Sequence, residues 1–212
     1  MNKAKSKIVV FIALGLLSLW SFERLRPKPT YAKIFCDAAF PYEEKGNYKK
    51  AVSLHKKALY HNPRYPIVHE RLGKIYGQSG NHKKEIWHYI KAAQYGSKNP
   101  AVYYELGLHC ANHHNDKKAI DYFQKTISHN PYHFQAHFYL GVTYLRQGFF
   151  EQAIQSLKNA IEIKAGYPEA RYQLGIAYLK NGDKINAGEQ VVLLERLHAY
   201  SLAKELRKML NK

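Results

Sequence analysis

Four residues capable of metal or nucleophile chemistry crowd one short stretch: His109, Cys110, His113 and His114. On a helix, His109 and His113 stand at i and i+4, a spacing that lets two imidazoles share one metal ion. Against that, Cys110 falls on the face that packs inward, and His113 and His114 fall at a turn. These side chains read first as packing and solvent-facing groups, with His109, His113 and His114 kept as candidate metal ligands. His129, His133 and His137 also recur every four residues, but Pro131 interrupts any helix that would align them. Ser53-x-x-Lys56 and Ser201-x-x-Lys204 have the spacing of a Ser–Lys dyad, without any accompanying motif. The sequence holds no Gly-rich phosphate loop and no His-Glu-x-x-His. Its two cysteines, Cys36 and Cys110, make neither a disulfide framework nor a zinc cluster. The expectation is a chain that is not an enzyme and carries no cofactor.

What must position these residues is a repeat. Leu72-Gly73, Leu106-Gly107, Leu140-Gly141 and Leu174-Gly175 follow one another at a constant spacing of 34 residues. Tyr76, Tyr144 and Tyr178 recur behind them, and small residues recur at Ala51, Ala119, Ala153 and Ala187. The pattern resembles the tetratricopeptide repeat, a 34-residue helix–turn–helix unit. The resemblance implies an all-α, right-handed α-solenoid. It comprises five repeats at 32–65, 66–99, 100–133, 134–167 and 168–199, then a capping helix over 200–212. Each repeat is a helix A, a turn and a helix B. Position 1 of each is Ala32, Pro66, Pro100, Phe134 or Pro168, and proline suits a first helical turn. The turns fall at Gly46-Asn47, Gly80-Asn81, His114-Asn115, Gly148 and Gly182-Asp183.

The glycine at position 8 lets helix B approach closely, with Tyr89, Phe123, Leu157 and Val191 filling the next layer. Three departures stand out. Glu85 takes a normally small site, which predicts a looser second hairpin. Ala165 replaces a terminating proline, so helix B of repeat 4 is expected to run on. Repeat 5 lacks a terminator as well, and its helix B is expected to merge with the cap, where Ser201 is the expected N-cap.

Charge and the N-terminus bear on location. The net charge is +17, with 33 Lys+Arg against 16 Asp+Glu, and most of the excess lies before residue 100. Lys3, Lys5 and Lys7 precede an uncharged apolar run from Ile8 to Phe22. As a helix it spans about 22 Å, short of the roughly 30 Å hydrocarbon layer, with Lys7 and Arg24 able to snorkel. It reads as a transmembrane signal anchor within a 1–31 leader that ends in a Pro27-Lys28-Pro29 spacer. The matching location is a bacterial inner membrane, single-pass, with the repeats on the periplasmic side. A cleaved signal peptide, giving a periplasmic or secreted protein, is the alternative. Lys49-Lys50, Lys83-Lys84 and Lys117-Lys118 are one period apart and would stack into a basic ridge. Such a ridge reads as a solvated face, and behind that as a surface for anionic lipid or an acidic partner, with nucleic acid last.

The resemblance also implies a concave groove lined by the A helices. Positions 5 and 9 are Cys36/Phe40, Glu70/Lys74, Tyr104/Leu108, Phe138/Val142 and Tyr172/Ile176, with Leu145 at position 12. Repeats 3 to 5 should therefore offer an apolar strip centred on Tyr104, Phe138 and Tyr172, and repeat 2 a charged step at Glu70 and Lys74. The family's carboxylate clamp needs Lys and Asn at positions 5 and 9 of one repeat, which this chain lacks. The expected partner is a peptide or amphipathic helix of another protein. Self-association, or filling of the groove by the chain itself, is the competing use.

Overall fold

The computed structural model describes residues 28–211. The apolar run 8–22 and its basic flank lie outside the described residues. Eleven helices account for most of residues 28–211: α1 (Pro29–Glu44), α2 (Tyr48–His61), α3 (Pro66–Gln78), α4 (His82–Gln94), α5 (Pro100–Asn112), α6 (Asp116–His129), α7 (Phe134–Arg146), α8 (Phe150–Ile163), α9 (Pro168–Lys180), α10 (Lys184–Arg196) and α11 (Tyr200–Leu210). Successive pairs pack as hairpins, and each hairpin stacks on the next. None of these helices is long and apolar enough to cross a membrane.

Local chemistry explains the boundaries. Pro66, Pro100 and Pro168 open α3, α5 and α9, where a missing N–H costs nothing. Proline also opens α1, so Pro29 belongs to the helix rather than to a spacer. Between the helices of a hairpin the chain enters the left-handed region at Gly46, Gly80, Gly148 and Gly182, and in repeat 3 at His114 with φ 54°. The next residue but one in the chain begins helix B, and the residue between caps it. Asn47, Asn81, Asn115 and Asp183 each accept the backbone N–H three residues on. Repeat 4 has Phe149 there, and its helix starts without a side-chain cap.

Tight packing follows from the position-8 glycines. A Cβ on Gly73 would lie 2.5 Å from the Tyr89 ring, one on Gly107 2.6 Å from Phe123, and one on Gly141 2.6 Å from Leu157. In repeat 5 the residue pressed on Gly175 is Leu206 of α11, not Val191. The cap helix thus completes the last repeat, and Leu206 and Ala203 are buried with Val191 and Leu194.

The three departures resolve differently from expectation. Glu85 does not loosen repeat 2, because its carboxyl lies over Gly77, which stands where the later repeats have Ala111, Leu145 and Leu179. Helix α8 stops at Ile163 despite Ala165, because Lys164 leaves the helical region at φ −134°, ψ 87°. Helices α10 and α11 do not merge, because His198 enters the left-handed region at φ 58°. The N-cap of α11 is consequently Ala199 rather than Ser201.

Candidate functional site

The expected aromatic strip is largely an inter-repeat joint. At position 5 of repeats 1 to 4, each side chain meets the residue that caps helix A of the following repeat. Cys36 packs in a cluster with Tyr65. Glu70 accepts hydrogen bonds from Ser97 Oγ at 2.6 Å and Asn99 Nδ2 at 3.0 Å. The Tyr104 ring is 4.7 Å from that of His133, and the Phe138 ring is 5.0 Å from that of Tyr167. In the last repeat the Tyr172 hydroxyl donates to Glu205 of α11 at 3.1 Å. Position 5 therefore points along the solenoid, toward the next repeat, and not across the groove. Phe138 is only 9% exposed, so it is no free anchor. Tyr104 and Tyr172 are half-buried. Burial raises the pKa of both phenols, helped at Tyr104 by Tyr139 and at Tyr172 by the Glu205 carboxylate.

What remains open to the groove is position 9 with position 12 behind it. Leu108, Val142 and Ile176 are half-buried against the core clusters, and Ala111, Leu145 and Leu179 stand nearly one turn further along the same helices. Toward the N-terminal end the lining changes character. Lys74 is exposed, and the Arg71 guanidinium lies 5.1 Å from the centre of the exposed Phe40 ring. Arg71 donates to Glu43 at 3.0 Å, and Glu43 accepts from the buried His55 at 2.7 Å. Burial lowers the His55 pKa, while the Glu43 carboxylate works against that shift. Glu70 is fully engaged by Ser97 and Asn99, so the charged step rests on Lys74 and Arg71.

The candidate metal ligands sit beside a cavity. His109 and His113 have ring centres 4.3 Å apart, and His113 Nδ1 donates to the His109 carbonyl at 2.8 Å. Both line a cavity of about 680 Å³ between α4 and α5, with His82, Glu85 and Glu105. Burial raises the Glu105 pKa, and Glu85 adds to the effect. His114 serves the turn. Among the described residues, no three His, Cys, Asp or Glu side chains converge to hold a metal ion. Cys36 and Cys110 are free thiols in separate core clusters. Ser53 and Lys56 line a shallow surface hollow with Tyr48 and Tyr76.

The six ridge lysines are all exposed at the starts of α2, α4 and α6. Lys84 Nζ sits 5.1 Å over the Tyr76 ring. The ridge ends with repeat 3, because Glu151 and Ile185 take the equivalent positions afterwards.

Three networks have no counterpart in the sequence pattern. At position 4, His69, Tyr103, His137 and Arg171 donate to the carbonyls of Pro63, Ser97, Pro131 and Ala165, each six residues back. The function recurs every 34 residues although the chemistry changes, so only a search for any long donor at that position would find it. Asp116 accepts from Arg146 Nε at 3.0 Å and Gln147 at 2.6 Å, tying repeat 3 to repeat 4. Burial pushes that carboxyl up, but the hydrogen bonds and the Arg146 charge outweigh it and hold its pKa below the usual range. Finally, His69 and His88 are both buried with their Nδ1 atoms 3.0 Å apart. Because His69 Nε2–H donates to Pro63, its Nδ1 must accept, and His88 Nδ1–H donates.

Comparison with known proteins agrees with this architecture. A family model for the TPR repeat matches residues 147–182, and one for the tetratricopeptide repeat matches residues 122–155. The two models together match tetratricopeptide repeats over residues 122–182. Comparison with curated protein sequences gives no match. Among solved structures, the chain is similar to YrrB, a TPR protein with an unusual peptide-binding site. The TM-score is 0.72 at 20% identity, covering 82% of this chain and 90% of that one. It is also similar to MamA, with a TM-score of 0.63 at 26% identity, covering 84% and 92%. A third is PilW, a widely conserved type IV pilus biogenesis factor, with a TM-score of 0.59 at 18% identity, covering 85% and 86%.

Proposed function

We propose that this chain is a non-catalytic scaffold, held at a membrane through residues 8–22, that seats a peptide or amphipathic helix of a partner protein in its concave groove. The observation that carries this reading is the half-buried apolar row of Leu108, Val142 and Ile176, with Leu145 and Leu179 behind it. These side chains repeat once per hairpin, which suits a ligand that also presents an apolar side chain at regular intervals. Polar contacts at Lys74 and Arg71 would fix its direction. The peptide-binding site of YrrB supports peptide capture as a use of this fold. The location is a bacterial inner membrane with the repeats on the periplasmic side, and a periplasmic or secreted form follows instead if the N-terminal run is cleaved.

Substituting Val142 by Asp tests the reading. Partner capture should be lost, the fold retained by circular dichroism, and wild-type capture should survive high salt. The alternative, a basic protein that engages anionic lipid or nucleic acid through Lys49, Lys50, Lys83, Lys84, Lys117 and Lys118, makes the opposite forecast. Its binding should weaken steeply with salt and ignore Val142.

A further inference from the structure

Helix α1 exposes a face that every later helix A buries. At position 3, Val68, Val102, Ala136 and Ala170 are at most 1% exposed, because helix B of the preceding repeat covers them. Ile34 holds that position in repeat 1 and is 58% exposed. Ala38, in the place of the four buried Leu-Gly leucines, is exposed as well. Helical spacing puts Tyr31 and Tyr42 on the same stripe, at 44% and 36% exposure. At the opposite end α11 covers the last repeat and turns Lys204, Arg207 and Lys208 outward, although Tyr200 and Met209 of that helix stay exposed.

The charges around this stripe select its occupant. Lys28 and Lys45 stand at its two ends, and Lys57 Nζ lies 5.7 Å from the adjoining Phe35 ring. The nearest carboxylate on the inner side, Glu43, is turned inward to His55 and Arg71. Asp37 and Glu44 fall on the neighbouring flank, with Lys33 among them. An apolar stripe bearing tyrosines and rimmed by lysines is the pattern of a helix lying at the boundary of headgroups and acyl chains. The sequence supplies the proximity. From Phe22, the end of the apolar run, to Pro29 is a reach of about 25 Å at full extension. We infer that the open N-terminal end of the solenoid docks on an anionic bilayer surface through Tyr31, Ile34, Ala38 and Tyr42. The groove is then held at a set angle to the membrane instead of swinging on a tether. This inference rests on the anchor reading for its proximity, and its test separates the two.

The experiment uses the full chain with Cys110→Ser and Ile34→Cys, labelled at position 34 with an environment-sensitive fluorophore, Cys36 being buried. Ile185→Cys, at the far end and 80% exposed, is the control site. Each protein is mixed with vesicles of phosphatidylcholine alone or with phosphatidylglycerol added. Flotation with both compositions supports the anchor. A blue shift and a several-fold drop in iodide quenching at position 34, with phosphatidylglycerol only and absent at position 185, supports docking. Lys28→Glu with Lys45→Glu should abolish that difference without affecting flotation. A protein that floats while position 34 stays quenchable overturns the inference and leaves the anchor standing. Protection at position 34 without vesicles also overturns it, since the stripe is then covered by protein. A protein that fails to float on phosphatidylcholine yet shifts on phosphatidylglycerol overturns the anchor and keeps the docking face.

Discussion

Acid should loosen repeat 2 first, through the imidazole pair of His69 and His88. Both rings are buried, and each Nδ1 is committed to the other at 3.0 Å. A proton added at His69 Nδ1 would set two N–H groups against each other. A proton added at His88 would place a cation under the influence of Lys84 and Lys56, with no carboxylate to offset them. Burial first, then His69 and these lysines, lower the His88 pKa from 6.5 to about 4. The sign follows directly. The unfolded chain takes the proton first, so stability is full above the ordinary histidine range and falls as pH drops toward the folded value. For His88 alone, the loss between pH 7 and pH 5 is about 2 kcal/mol, using 1.36 kcal/mol per pKa unit. Hydrogen exchange of α3 and α4 amides at the two pH values reads this locally, which matters because repeat arrays need not unfold as one unit. His88→Gln should flatten the dependence in these two helices and leave α7 and α8 unchanged. If the variant keeps the wild-type slope, the imidazole pair is not the titrating element and the argument fails.

Other expectations are simpler to check by thermal melting. Gly141→Val drives a branched side chain into Leu157 and the Ala153 carbonyl, and should cost about 1–3 kcal/mol. Phe149→Asn restores the cap that Asn47, Asn81 and Asn115 provide elsewhere, and should stabilise by about 1 kcal/mol; a lower melting temperature would mean that the exposed Phe149 ring packs usefully on Tyr144. Phe138→Ala should cost about 3 kcal/mol of stability by emptying the joint with Tyr167, and a variant that melts like wild type would return Phe138 to the groove.

Much of the fold was legible because its signals are local. Pro66, Pro100 and Pro168 mark helix starts, and Gly46, Gly80, Gly148 and Gly182 mark turns, each by what a single residue can or cannot do with its backbone. Pairs of residues were harder to read. Glu85 reads as a defect until Gly77 is set beside it, and Gly175 pairs with Val191 by spacing while Leu206, beyond the last repeat, is what packs on it. The candidate site was legible only in part. Position 9 keeps half-buried apolar side chains, but whether position 5 turns toward the next repeat depends on how one hairpin rotates onto another. Intra-repeat spacing carries no record of that rotation. The His69–His88 pair was invisible for a similar reason, since its members lie on different helices and neither position holds histidine in every repeat.

The central claim is that the groove row of Leu108, Val142 and Ile176 holds a protein partner. Its most direct test places a photoreactive side chain, one per protein, at position 142 of the full chain, at positions 84 and 118 on the lysine ridge, and at position 185 as control. Irradiation should give a discrete protein adduct from position 142 that persists at high salt, and none from position 185. Adducts from the ridge probes at positions 84 and 118 that are lost as salt rises, with position 142 silent, would contradict it.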